Sequence, residues 1–404
     1  MRVVVDFQGD CLEFEVPEER LVARWRGPDG LDPSAAAAAV EEALEDPRDF
    51  PPFRQMIVPG DRVAIALDPG IPQAYAVLGA IVDVLRRSGV GSDTVTIVAP
   101  SAPMDGTAGP VSPDESIEVH DPDDRARIAY LASTKEGRRV YLNRSITDAD
   151  VVVPVGLLRY DPDAGHRGPW SLLFPGLSDR QTMHSLRAGK GSESPEADRA
   201  RHEARLEESF EVSWLLGSQF YLGIVPAAAG LLEVVAGRDA AVRAEGIASV
   251  ERNWTMRAPS RAELVVAGVG GPGQGAGLEE LAAALETATG LVRRGGRVVV
   301  LSRASGPIGP ALQRLSTVDD PGEAVADLRG LEEAEDYTIA RRIARAAAWA
   351  DLFVASGLDA DVLEGLSIAA LERPEQARRL AANAGSVTFV SRAELTRAVV
   401  LDES

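Results

Sequence analysis

Short runs of valine, isoleucine, leucine and alanine recur along the chain, and each ends at a polar or turn-forming residue. They are Arg62-Val-Ala-Ile-Ala-Leu-Asp68, Thr94-Val-Thr-Ile-Val-Ala99, the stretch at 148–156 (DADVVVPVG), Glu263-Leu-Val-Val-Ala-Gly268 and Arg297-Val-Val-Val-Leu-Ser302. Runs of this kind, lacking polar alternation, fit strands buried on both faces. Helical patterns separate them, at 73–88, about 277–293 and 373–384 among others. Strands alternating with helices in this way predict an α/β fold whose sheets are mostly parallel. The pattern restarts after Arg257-Ala-Pro-Ser260, so two α/β domains are expected, 1–257 and 258–404, with a ligand cleft between them. The opening segments MRVVVDF and CLEFEV alternate and read as a hairpin joined by Gly9-Asp10. Residues 33–46 read as a helix with a Pro-Ser start, and about 321–349 as further helices.

Composition narrows the function. The net charge of -20 over 404 residues repels phosphate backbones and anionic lipid, which sets nucleic acids and membrane surfaces aside as partners. No apolar stretch approaches the roughly 18 residues of a membrane span. The N-terminus lacks an apolar signal core, so a cytoplasmic protein is expected. Cys11 is the single cysteine, which excludes an internal disulfide and a thiolate metal cluster. Only Lys135 and Lys190 are lysines, and the histidines number four. Amine-based covalent catalysis therefore has two candidates, and any imidazole site must draw on His120, His166, His184 and His202. A small-molecule ligand is the expected partner.

In parallel α/β sheets, ligands sit beyond the carboxyl ends of the strands. Asp68, Ser101, His120 and the segment from Arg159 to His166 all follow predicted strand ends. The stretch Arg159-Tyr-Asp-Pro-Asp-Ala-Gly-His166-Arg-Gly-Pro-Trp170-Ser171 is the densest polar and aromatic segment of the chain, and functional loops have this character. His184 and Arg187, three residues apart, share a face if 180–187 is helical. Asp121, Asp123 and Asp124 beside His120 read as caps of turns or helices more readily than as metal ligands. Gly268-Val-Gly-Gly-Pro-Gly273 satisfies the G-x-G-x-x-G spacing. Pro272 interrupts it, however, and no acid follows at the expected distance, so a dinucleotide-binding oxidoreductase is the least favoured reading.

The order of segments resembles the nickel-dependent lactate racemase family almost end to end. The resemblance is carried by Leu12-Glu-Phe-Glu-Val-Pro17, Pro59-Gly-Asp-Arg-Val-Ala-Ile65, His120-Asp121, Val140-Tyr-Leu-Asn143, Asp148-Ala-Asp150 with the strand after it, Phe174-Pro175-Gly176-Leu177, Gly295-Gly296 and Ala355-Ser356. It implies a two-domain α/β fold and racemisation of a 2-hydroxy acid by reversible hydride transfer. The cofactor it implies is a nickel-pincer nucleotide tethered to a lysine and served by histidines.

The sequence departs from that family at the positions that carry its chemistry. Asp68-Pro-Gly-Ile71 stands where the family has Asp-x-Thr-Arg, and Pro100-Ser101 where it has Thr-His. Tyr160 or Asp161 replaces the second histidine, Ser171 the tethering lysine and Arg187 the nickel-ligand histidine. Glu280 and Ala283 replace a glutamine and a lysine. Covalent cofactor attachment is therefore expected to be absent. His166, His184 and Asp161 are the candidate catalytic groups, and His184 is the candidate metal ligand. Asp68, Ser101, His120, Arg159, Arg167, Ser171 and Arg187 are the candidate ligand-binding groups. Two functions remain open: a divergent racemase or epimerase that binds a hydroxy-acid-like ligand, or an inactive paralogue acting as a binding or regulatory subunit.

Overall fold

The computed structural model describes residues 1–101, 117–161, 165–187, 195–271, 276–318 and 320–401. The chain folds as two α/β units, one of residues 29–250 and one formed by 1–28 together with 251–404. The expected α/β class holds in both.

In the 29–250 unit, a six-stranded sheet runs across Leu231–Gly237, Tyr221–Pro226, Val151–Leu157, Val63–Leu67, Val95–Ala99 and Ile117–Val119. All neighbours are parallel except the antiparallel edge strand Leu231–Gly237. Alternation along the strands separates two cores. Val63, Ile65, Leu67, Val153 and Val155 face the helices Pro33–Glu45 and Ala74–Arg87. Ala64, Ala66, Val98 and Val152 face Leu172, Leu173, Phe174, Leu142 and Val212. Helix Ala74–Arg87 buries Val77, Leu78, Ile81, Val82 and Leu85, the i, i+4 and i, i+3 stripe of an amphipathic helix. Helix Pro33–Glu45 starts where Asp32 Oδ1 accepts from the amides of Ser34 and Ala35, both at 2.9 Å, with proline at the first position.

The second unit holds an all-parallel sheet in the order Ile368–Ala370, Asp351–Ala355, Val292–Leu301, Ala262–Gly268, Val387–Val390 and Leu21–Trp25. Leu21–Trp25 pairs with Val387–Val390, and the hairpin Arg2–Phe7/Asp10–Glu15 packs Val3, Val5, Leu12 and Phe14 on Leu264, Val266, Val299 and Phe389. These contacts place residues 1–28 with the C-terminal part of the chain. The division read from sequence, 1–257 and 258–404, missed this because pairing across more than 350 residues leaves no local trace. The hairpin turn is Gln8-Gly9, not Gly9-Asp10. Phe7 pairs with Asp10, and both turn residues have positive φ, 44° and 87°, as a tight hairpin turn demands.

The glycine-rich loop after Ala262–Gly268 is occupied by this hairpin. A Cβ on Gly268 would lie 2.1 Å from the carbonyl oxygen of Asp6, and one on Gly270 would lie 2.5 Å from Gln8 Cγ. Gln8 N donates to Gly270 O at 2.9 Å. These two glycines admit a neighbouring strand, while Pro272 and Gly273 lie outside the described residues. The helices expected over 321–349 are Ala324–Asp327 and Tyr337–Ala347, with Gly330 at φ 88° between them. Among the described residues, no helix is long and apolar enough to cross a membrane.

Candidate functional site at the carboxyl edge of the 29–250 sheet

The chain enters this sheet at Val63–Leu67, steps outward to Val95–Ala99 and Ile117–Val119, then returns to the other side of the first strand at Val151–Leu157. The order therefore reverses between Val63–Leu67 and Val151–Leu157, and a crevice beyond their carboxyl ends is where such sheets bind ligands. Asp68 stands at this reversal. Its amide donates to Val155 O at 2.9 Å. Its Oδ2 accepts from Leu157 N at 3.2 Å and its Oδ1 from Gly70 N at 2.9 Å. The carboxylate thus ties the two central strand ends together. Ser101 follows the next strand and is exposed.

Beyond Leu157 the chain forms a small antiparallel hairpin in which Arg159 opposes Arg167, Tyr160 opposes His166 and Asp161 opposes Gly165. The residues at its tip, 162–164, lie outside the described ones. Side chains alternate along a strand, so Arg159, Asp161 and Arg167 share one face while Tyr160 and His166 share the other. Asp161 is 3% exposed and its Oδ2 lies 2.7 Å from Arg167 Nε. The Tyr160 and His166 rings meet edge to face, 5.8 Å apart. The hairpin therefore turns His166 and Asp161, both expected to be catalytic, to opposite sides.

The helix Pro169–Leu173 lies against the sheet because Gly156 leaves room for it: a Cβ there would sit 2.4 Å from Pro169 Cα. Ser209 Oγ lies 2.6 Å from Trp170 O and 2.9 Å from Phe174 O, serving carbonyls at the helix end. Ser171, half-buried, donates its hydroxyl to Gly168 O at 2.9 Å.

His120 is 5% exposed. Its Nε2 donates to Ser178 O at 2.8 Å, and Asn143 Nδ2 lies 3.3 Å from its Nδ1. Because a carbonyl only accepts, the Nε2 proton is required, and Nδ1 is left to accept from the amide. Burial lowers the His120 pKa below its usual 6.5. Expected to face a ligand, His120 instead has both ring nitrogens engaged inside the protein.

His184 lies on the helix Arg180–Arg187, so the helical reading of that segment holds; the Arg187 side chain is outside the described ones. Arg180 Nε reaches both carboxylate oxygens of Asp123, at 2.8 and 2.7 Å. These hydrogen bonds hold the Asp123 carboxyl below its usual range, and the charge of His184 adds to the effect. Asp121 and Asp124 close turns through the amides of Asp123 and Ala126. Among the described residues, no group of three or more His, Cys, Asp or Glu could hold a metal ion.

One edge of the sheet thus carries Asp68, Ser101, His120 and the Arg159–Arg167 hairpin. Sequence reasoning missed Asn143 and Ser178, which fix His120, and a cavity lined by Arg125, Tyr141 and Asp179. The signal for the strands that frame this region was the alternation in 128–133 and 139–143 around Gly137.

Residues 7–192 match the family model described as the lactate racemase N-terminal domain. No curated protein matches the chain. Among solved structures, the lactate racemase apoprotein from Thermoanaerobacterium thermosaccharolyticum superposes with a TM-score of 0.76 at 14% identity, covering 99% of this chain and 100% of that one. A protein from Thermotoga maritima superposes with a TM-score of 0.64 at 10% identity, covering 93% of this chain and 100% of that one. At these identities the structural likeness speaks for the fold alone. Residues 7–192 are thus similar in sequence to the lactate racemase N-terminal domain, and the chain as a whole shares the fold of the lactate racemase apoprotein.

Proposed function

We propose that the 29–250 unit binds a small hydroxy acid or related carboxylate at the carboxyl edge of its sheet, without a lysine-tethered nickel cofactor. The observation that carries this reading is the direct opposition of Arg159 and Arg167 in the hairpin at the strand-order reversal. Asp161 on the same face holds Arg167, its Oδ2 2.7 Å from Arg167 Nε. Guanidinium groups bind carboxylates with paired hydrogen bonds, and two of them stand on one face here, beyond the strand ends where such sheets take ligands.

The residues do not fit the tethered cofactor that the family implies. Ser171, at the position matched to the tethering lysine, is a hydroxyl already donating to Gly168 O. Asp161, which with Tyr160 is one of the two residues matched to a catalytic histidine, is committed to Arg167. These two observations favour a second reading within the first, a binding or regulatory subunit that does not turn its ligand over. If turnover does occur, His166 and His184 are the imidazoles that would move protons.

Titration calorimetry of the full chain with D-lactate, L-lactate and glycolate tests the proposal, alongside a chiral assay of lactate. Saturable binding is expected, weakened about tenfold in Arg159→Gln, as loss of a charge-assisted hydrogen bond predicts. No racemisation is expected. Equal affinity in wild type and Arg159→Gln, or no binding of any of the three acids, refutes it.

A further inference from the structure

The sheet of the second unit has a strand-order reversal of its own. From Ala262–Gly268 the chain steps to Val292–Leu301, Asp351–Ala355 and Ile368–Ala370 on one side, then returns to Val387–Val390 on the other. A crevice beyond the carboxyl ends at such a reversal is where these sheets take ligands. Here the tip of the N-terminal hairpin lies across it, touching three strand ends. Beyond Val387–Val390, Asp6 N donates to Ser391 Oγ at 3.0 Å. Beyond Ala262–Gly268, Gln8 N donates to Gly270 O at 2.9 Å. Beyond Val292–Leu301, Gln8 Oε1 accepts from the Arg303 amide and, at 3.4 Å, from the Ser302 hydroxyl. Arg303 Nη2 pairs with the Asp10 carboxylate.

A backbone N–H, a hydroxyl and a guanidinium are the donors that hold carboxylates and phosphates. At Ser302 and Arg303 all three are turned to oxygens supplied by the hairpin turn. Packing does not call for this, because Val3, Val5, Leu12 and Phe14 already seat the hairpin on the sheet, and Asp10 and Arg303 are exposed. Gln8 also stands at φ 44°, where glycine is the less strained residue, so the turn keeps a carboxamide at a conformational cost. We propose that Gln8 and Asp10 are a built-in occupant of an oxyanion site made by the Ser302 hydroxyl and the Arg303 amide and guanidinium. They hold that site shut. A ligand with a carboxylate or phosphate group enters only when the tip moves aside, and its apparent affinity falls with the fraction of chains in that state. Every group named belongs to the unit of residues 1–28 and 251–404, so this site stands or falls separately from the Arg159–Arg167 hairpin.

Titration calorimetry of the full chain with inorganic phosphate and with acetate, at ionic strength held constant with sodium chloride, tests it. Gln8→Gly with Asp10→Ser removes both occupying groups and gives the turn the residue its φ favours. This double variant should bind at least one of the two anions about tenfold more tightly than wild type, and the tighter of the two names the ligand's head group. Adding Arg303→Gln should abolish the gain. Asp10→Ser alone, which leaves the Gln8 contacts in place, should give a smaller gain, and melting temperatures show that each variant is folded. A purely structural contact predicts a lower melting temperature with no gain in anion binding, and that result overturns the proposal. So does a gain that survives Arg303→Gln, or wild-type binding as tight as that of the double variant.

Discussion

His120 Nε2 donates to the carbonyl of Ser178 at 2.8 Å, joining the end of the edge strand Ile117–Val119 to the start of the helix that carries His184. With Asn143 Nδ2 facing Nδ1, protonating the ring would set two donors against each other, and burial disfavours the cation further. The folded pKa is therefore lowered. The stabilisation from neutral His120 is complete above the unfolded value of 6.5 and is lost as pH falls through the folded value, because the unfolded chain then binds the extra proton. Denaturant melts between neutral and mildly acidic pH should show stability falling below pH 6.5, by at most about 1.4 kcal/mol per pH unit from this one proton. His120→Gln should flatten that part of the profile. An unchanged slope would place the acid sensitivity elsewhere.

Gly156 sets how closely the Pro169–Leu173 helix lies on the sheet. Gly156→Ala would put a Cβ 2.4 Å from Pro169 Cα, where the opposing atom is backbone and cannot swing aside. Destabilisation of about 1–3 kcal/mol is expected, as for overpacked cores, read as a lower denaturation midpoint. Weaker hydroxy-acid binding should accompany it, since the Arg159–Arg167 hairpin leads directly into this helix.

Gly268 makes the same kind of contact in the other unit, against the carbonyl of Asp6. Gly268→Ala should cost about 1–3 kcal/mol by pushing the N-terminal hairpin off the sheet. Added NADH should leave the melting temperature of the wild-type protein unchanged. A clear rise with NADH would restore the dinucleotide reading of this loop.

The central strands were legible because a strand buried on both faces must be apolar throughout, as Val63–Leu67 and Val151–Leu157 are. Leu21–Trp25 was not, since it is a half-buried edge strand with Arg24 exposed and no continuous apolar run. The hairpin Arg2–Phe7/Asp10–Glu15 announced itself by alternation, but the sheet it packs on comes from residues beyond 260 and left no local mark. At the candidate site, the polar density of 159–171 marked a segment that forms a small hairpin and a short helix beyond the end of Val151–Leu157. That Arg159 faces Arg167 depends on a register fixed by the fold. His120 looked available because its acceptor, Ser178, lies 58 residues away along the chain.

Ser171 carries a hydroxyl, not the amine that a covalent tether needs, so the proposed ligand site would work without a lysine-tethered cofactor. Intact-mass spectrometry of the full chain, after co-expression with the enzymes that make the nickel-pincer nucleotide, tests it most directly. The expected result is the mass of the bare 404-residue chain, from protein that still binds lactate. A nucleotide adduct mapped to Ser171, Lys190 or any other residue would contradict it.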